Sequence, residues 1–306
     1  MYLLLGSPHD PCCVGVHAAL AARGRPAHIV DNLLSHPVRW SWWLDSERSS
    51  SQLALDDRAP LADDEIEGVL VRDTGWLDPA GWQPKDLLYM QAEAHAALLG
   101  WLWSLPCPVL NRYPPATWYR PQLPLLSWWP LLWRSGLPAL ETLVTNVPGE
   151  ARAFGERLAA IGVPGAIYRP LTTSARYLVA SEGDWAGLAA LQVRAPVCLA
   201  YPHAQPRSAC VVGEQVVWDG SPPPEAGALE PALRRFAVAT GLAFVEVTLA
   251  EATGCLRVVE VEPHPKLEGF GAEAQGTIIA GLVELLATRT AAAAPVPVGI
   301  EGREAR

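Results

Sequence analysis

The sequence predicts a mixed fold, α/β and α+β: an N-terminal lobe on a parallel sheet, then two mixed lobes with antiparallel sheets. Two observations carry this reading. The chain opens on strand, helix and strand in close succession, the pattern of a parallel β-α-β unit. From residue 165 onward, short strand-like segments dominate, with few helices between them. A third observation sets the scale. The chain has 306 residues, half of them hydrophobic and 18% charged, enough for two or three lobes with cores of their own.

Taken in order, "MYLLLGS" is a short apolar strand ending in turn residues Gly6 to Pro11. "VGVHAALAARG" (14–24) has helical spacing and stops on Gly24, and "PAHIVD" (26–31) is the next strand. Gly6 with Asp10 and Pro11 behind it makes no dinucleotide-binding glycine loop. The polar stretch "DSERSSSQ" (45–52) reads as a connection before a third strand, "IEGVLVRD" (66–73), whose last residues Arg72 and Asp73 suit a surface ion pair. A long amphipathic helix over 87–105 and "CPVLNR" (107–112) close the lobe. A tryptophan-rich helix is expected around 119–135, then a strand in "ETLVTN" (141–146). A helix over 148–162 follows, with proline at its start and Glu150 in its first turn. The later strand candidates are "GAIYRPL" (165–171), "ARYLVA" (175–180), "PVCLAY" (196–201), "RSACVVGEQVVWDG" (207–220) and "LAFVEVTLAE" (242–251). Gly213-Glu214 is placed as a hairpin turn. Helices over 230–242 and 273–289 and an alanine- and proline-rich tail complete the chain.

Composition excludes several classes. A net charge of −9 argues against a general nucleic-acid binder. The longest apolar runs, such as "LPLLSWWPLLW" (123–133), are interrupted by proline and too short to span a bilayer. Met1 is followed by neither a basic leader nor a small-residue cleavage site, so the expected compartment is the cytoplasm. Six cysteines without metal-ligand spacing read as free thiols. Lys85 and Lys266 are the only lysines, so arginine carries almost all the positive charge. Most of the thirteen tryptophans are assigned to the core, with some free to line an apolar groove for a peptide or partner.

The segment "VVEVEPHPK" (258–266) poses the functional question. Glu260 and Glu262 stand two apart on a strand, side by side on one face at roughly 6.5–7 Å. Such carboxylates repel unless a cation lies between them or one is protonated. They are either a metal site or the solvated end of a strand.

Six segments in order, "VLNR" (109–112), "YRPQL…GLPALETLVTN" (119–146), "AIYRPL" (166–171), "RSACVVGEQVV" (207–217), "TGLAFVEVTL" (240–249) and "VVEVEPHP" (258–265), resemble the ATP-grasp family. The similarity is to its ribosomal-protein glutamate ligases and ribosomal-peptide cyclising ligases. The resemblance implies an ATP-grasp fold with a preceding α/β domain (1–110), a central lobe (111–198), a C-terminal lobe (199–290) and a loose tail (291–306). It implies ATP and Mg²⁺ as cofactors and an acyl phosphate attacked by an amine or thiol. It further implies a small-molecule or peptide carboxylate as substrate, and it admits a protein or peptide partner and a homodimer, without nucleic acid or membrane.

Residue by residue, Arg120 and Arg169 stand where the family usually has phosphate-binding lysines. Leu199 and Tyr201 fall at the adenine hinge, where this chain lacks the usual acidic step. Glu260 and Glu262 match the metal pair, and Thr248 falls at the third metal position in place of an acidic residue, with Glu246 two residues earlier on the same face. Arg207 opens the strand on which the family places an arginine facing the reacting centre. His264 and Lys266 follow the carboxylates where an acceptor site is lined. Two readings follow: an active ligase, or a protein that keeps the fold as a peptide- or partner-binding subunit. The second is motivated by Thr248, the arginine-for-lysine changes and the hinge.

Overall fold

A computed structural model of the chain describes residues 1–34, 38–46, 49–55, 59–73, 75–112, 125–171, 175–252 and 254–288. Arg120 and the tail 291–306 lie outside the described residues.

The first sheet is parallel, as the β-α-β opening predicts: β1 (Tyr2–Leu5) is flanked by β2 (Ala27–Val30) and β6 (Gly68–Val71), with β7 (Val109–Leu110) beyond β6. Between β1 and β2 runs α1 (Pro11–Ala22), with Pro11 in its first turn and Asp10 as its cap, accepting from the Cys12 amide at 2.9 Å.

The stretch read as a polar connection is instead a hairpin. β3 (Arg39–Leu44) pairs antiparallel with β4 (Ser49–Ala54), which pairs with β5 (Leu61–Ala62). Its serines are strand residues because indole N–H groups need acceptors. Trp101 Nε1 donates to Ser51 Oγ and Trp42 Nε1 to Ser49 Oγ, both at 2.7 Å. Trp101 belongs to α2 (Pro84–Ser104), against which this hairpin packs through Trp40 and Trp42.

α3 (Leu125–Ser135) buries Trp128 and Leu132. The central sheet is antiparallel, in the order β10 (Tyr177–Val179), β9 (Ala166–Tyr168), β11 (Val197–Ala200), β8 (Thr142–Thr145). One face is covered by α4 (Pro148–Ala160) and α5 (Glu182–Gln192), whose Phe154, Leu158 and Leu188 form a core with Ala166, Val197 and Leu199. The third sheet, also antiparallel, runs β13 (Gln215–Trp218), β12 (Ala204–Val212), β14 (Phe244–Ala252), β15 (Cys255–Glu262). Gly213, at φ 55°, makes the expected turn between β12 and β13.

α6 (Ala226–Thr240) packs on the third sheet and on α3, and α7 (Ala272–Ala287) ties the first and third sheets together. Tyr2, Leu4 and Leu70 of the first sheet and Cys210, Val212 and Phe244 of the third share one core with Ile278, Leu282 and Leu286 of α7. The central sheet thus has its own core, and the other two fold around common ones.

All six cysteines are free. Most tryptophans were expected inside, yet Trp43, Trp76, Trp82, Trp103, Trp129 and Trp133 are exposed. Among the described residues, no helix is long and apolar enough to cross a membrane.

Gly165 leads into β9 at φ 148°, and a Cβ there would lie 2.5 Å from the Val179 carbonyl oxygen of the neighbouring strand. Gly165→Ala is therefore expected to lower stability by about 1–3 kcal/mol, measured by urea denaturation.

Candidate functional site

Strand alternation builds the site from two facing surfaces. On the third sheet, β14 and β15 pair Glu246 with Glu262 and Thr248 with Glu260, and β12 sets Ser208 opposite Thr248. Opposed residues share a face, so three carboxylates and two hydroxyls stand together. The other face carries Val245, Val247, Leu249 and Val258, all buried. The register shifts between Thr248 and Leu249, leaving Val259 as an extra residue of β15, a bulge that turns its carbonyl toward the central sheet.

The carboxylates are held differently. Ser208 Oγ donates to Glu246 Oε1 at 2.6 Å, and the His264 amide donates to Glu262 Oε1 at 2.9 Å. Burial pushes the Glu246 carboxyl above its ordinary range, opposed by the Ser208 hydroxyl and the Lys266 amide. Burial likewise raises Glu262, opposed by the His264 amide and the charge of Lys266. Glu260 is ion-paired with Arg176.

On the central sheet, Leu199 pairs with Tyr168 and Ala200 with Ile167. Leu143, Tyr168 and Leu199 face the helices. Ile167, Cys198 and Ala200, and Arg169 by the same alternation, face the third sheet. Tyr177 is opposite Tyr168, so continuing that register by one residue sets Arg176 opposite Arg169. Arg169 Nη1 donates to the Val259 carbonyl at 2.8 Å, while Arg176 reaches Glu260 with one nitrogen and lies 3.4 Å from His203 Nε2 with another. Burial and the two arginines hold His203 below its ordinary range. Its Nδ1 is buried without a hydrogen-bond partner among the described residues. Beneath this row Leu140, Ala200, Ala250, Ala252 and Val259 form the floor joining the two sheets.

The turn after β15 is anchored to the first lobe. The Arg72 side chain is buried; it pairs with Asp10 Oδ2 at 2.8 Å and donates to the Pro265 carbonyl at 2.8 Å. It is thus no surface ion pair, and its partner is Asp10 in place of the neighbouring Asp73. His264 Nδ1 lies 3.1 Å from the Arg72 carbonyl, and burial pushes its pKa down to about 4. At neutral pH His264 is an uncharged residue that fixes the turn. Lys266 is exposed beside it.

The structure therefore brings together Arg169, Thr248, Glu260, Glu262, His264 and Lys266. Arg207 does not join them. It pairs with Leu249, one residue out of step with Ser208, so alternation turns it to the opposite face. There it donates to the Ser221 carbonyl at 3.3 Å and lines a separate cleft with Glu225, Glu251 and Cys255. Leu199 is fully buried in the helix-covered core, so the cleft-facing hinge side chains are Cys198 and Ala200, with Tyr201 at the edge of both cores. Sequence reasoning missed Arg176, His203 and Ser208. Reading "AIYRPLTTSARYLV" as a hairpin with an arginine on each arm at its mouth would have found the first.

Among the described residues, no three His, Cys, Asp or Glu side chains are gathered closely enough to hold a metal ion as they stand. The donor chemistry nonetheless fits one. Glu246, Glu260 and Glu262 are hard oxygen ligands on one face, two of them pushed toward protonation by burial. Glu260 is held in the ion pair with Arg176.

No protein-family model matches the chain, and no curated protein matches it. Solved structures do. The macrocyclase MdnC, bound with precursor peptide MdnA, from Microcystis aeruginosa MRC aligns with a TM-score of 0.74 at 19% identity, covering 94% of this chain and 99% of its own. The ATP-grasp ligase PsnB complexed with minimal precursor gives 0.70 at 19%, covering 93% and 98%. A Chryseobacterium gregarium RiPP-associated ATP-grasp ligase, in complex with ADP and a leader and core peptide, gives 0.71 at 13%, covering 93% and 96%. These are likenesses of fold along nearly the whole chain.

Proposed function

We propose that this chain, which has the ATP-grasp fold, is an ATP-dependent ligase that activates a carboxylate of a peptide as an acyl phosphate and transfers it to an amine or thiol. One observation carries the reading: a cationic row, Arg169 and Arg176, faces a three-carboxylate array, Glu246, Glu260 and Glu262, across one cleft. Fixed cations opposite an acidic cluster are what a polyphosphate and its counter-ion require. The peptide substrate class is suggested by the precursor peptides bound to MdnC and PsnB.

In this reading Arg169, and Arg120 before it, hold phosphate oxygens, with Arg176 and His203 beside them. The apolar side chains of Ile167 and Ala200 on the cleft-facing strands support the base near Tyr201. Glu246, Glu260 and Glu262, with Thr248 as a hydroxyl neighbour, would hold magnesium, which would neutralise phosphate charge there. Lys266, exposed beside His264, would pair with an acidic substrate. Arg207, on the opposite face against the Ser221 carbonyl, has no part in this reading. Six scattered free thiols suit a reducing compartment, which we take to be the cytoplasm.

The engagement of Glu260 by Arg176, together with Thr248 and Ser208 at positions facing the cleft, favours a second reading: a peptide-binding subunit without ligase activity. Calorimetric titration of ADP with Mg²⁺ separates the two. A ligase is expected to bind the nucleotide with magnesium and release phosphate when supplied with a peptide carboxylate. Glu260→Gln is expected to weaken the magnesium-dependent binding about tenfold. Absence of nucleotide binding to the unaltered chain would leave only the second reading.

A further inference from the structure

We infer that Arg176 is a built-in counter-cation for the carboxylate array, and that it makes metal and nucleotide binding mutually dependent. This rests on the nucleotide-binding reading above and adds a coupling to it.

The register assigns Arg176 to the cationic row of the central sheet, opposite Arg169, yet its guanidinium crosses the cleft to Glu260. Arg169 does something different: it donates to a backbone carbonyl of the bulge, Val259. Among the described residues, Arg176 is the one cation of the row in an ion pair with the carboxylate array. Glu246 and Glu262 are satisfied by a hydroxyl and an amide. The pair is partly exposed, with about a third of each side chain accessible (31% and 35%), so it is an exchangeable contact.

Each ligand alone then meets an obstacle. A divalent cation arriving by itself must take Glu260 from Arg176 and leave the guanidinium facing both the metal and Arg169. A nucleotide arriving by itself draws Arg176 to its phosphates and leaves Glu260 unpaired beside them. When both arrive, Arg176 passes from carboxylate to phosphate and Glu260 from guanidinium to metal, and every charge keeps a partner. Each ligand thereby raises the affinity for the other by the same factor. Arg176 acts here as a positioning residue for Glu260.

The test is Mn²⁺ binding without nucleotide, followed by the electron paramagnetic resonance of free Mn²⁺, beside calorimetric ADP titrations with and without Mg²⁺. Arg176→Gln is expected to tighten Mn²⁺ binding alone by about threefold to fivefold, the range that loss of a partly exposed competing pair allows. It is also expected to shrink the factor by which Mg²⁺ tightens ADP. Arg169→Gln removes an equal charge from the same row without freeing Glu260, and is expected to change Mn²⁺ affinity by less than about twofold. An equal rise in both variants, or no rise in Arg176→Gln while the unaltered chain binds Mg²⁺ and ADP, would overturn the coupling alone. If the unaltered chain binds no nucleotide and neither variant binds Mn²⁺, the nucleotide reading falls and this inference with it.

Discussion

Replacing Asn111 with alanine is expected to destabilise the chain by about 3–5 kcal/mol, because the buried amide and carbonyl of Phe244 lose this partner at once and the Pro263 carbonyl loses one of its contacts. Asn111 follows β7 and is 1% exposed. Its Oδ1 accepts from the Phe244 amide at 2.9 Å, and its Nδ2 donates to the carbonyls of Phe244 at 2.6 Å and Pro263 at 3.2 Å. One side chain thereby joins the end of the first sheet to the start of β14 and to the turn after β15. Asn111 is also the one non-glycine residue with positive φ (55°) among the described residues, a conformation asparagine tolerates better than alanine. Asn111→Gly removes the side chain but not the backbone freedom, so it is expected to lose about 1 kcal/mol less than Asn111→Ala. Urea denaturation of the two variants checks both numbers. A loss under 1 kcal/mol in Asn111→Ala would mean that water replaces the bonds and that the junction is not held by this residue.

"VLNR" marks the end of the first lobe in the sequence, but nothing local reveals that its asparagine reaches 133 residues ahead to Phe244. The same division runs through the site. Glu260 and Glu262 were legible because strand alternation is local: two residues apart means one face, and the register then adds Glu246. Arg207 was misplaced for the opposite reason. Its face depends on the pairing register with β14, in which Arg207 meets Leu249 and Ser208 meets Thr248, and one residue of slip exchanges the faces. Arg176 was passed over because its partner belongs to another sheet.

Two elements were missed for local reasons that could have been read. α5 starts on Ser181, whose Oγ accepts from the Asp184 amide while Asp184 Oδ2 accepts from the Ser181 amide at 2.8 Å. Ser-x-x-Asp before "WAGLAAL" is a helix start. The β3–β4 hairpin was hidden by its serines, which read as loop until they are seen as acceptors for Trp42 and Trp101. The α/β opening, the β12–β13 turn at Gly213 and the paired carboxylates needed only short-range rules and were correctly anticipated. What needed a partner strand or a second lobe was not.

Arg72→Met is expected to destabilise the chain by about 3 kcal/mol, at the low end for breaking a buried ion pair. The low end applies because Asp10 keeps a second role as the cap of α1 and is 18% exposed, against 7% for Arg72. The guanidinium also lies over the Phe244 ring at 5.5 Å and donates to Pro265. Methionine keeps the apolar contact and removes the charge and the donors, so the loss reports the polar network. A cycle with Asp10→Asn isolates the pair. Once either charge is gone the other substitution should add little, so the double variant should fall short of the sum of the singles by about 1–2 kcal/mol. Additive losses would show that Arg72 acts through Phe244 and Pro265 alone. The same variant carries a functional consequence. Arg72 holds the 263–266 turn through its side chain at Pro265 and its carbonyl at His264, and the His264 amide in turn fixes Glu262. Loosening this chain of contacts displaces a carboxylate of the array without touching it. On the ligase reading proposed above, Arg72→Met is therefore expected to weaken magnesium-dependent ADP binding, measured by calorimetry at a temperature where the variant is folded.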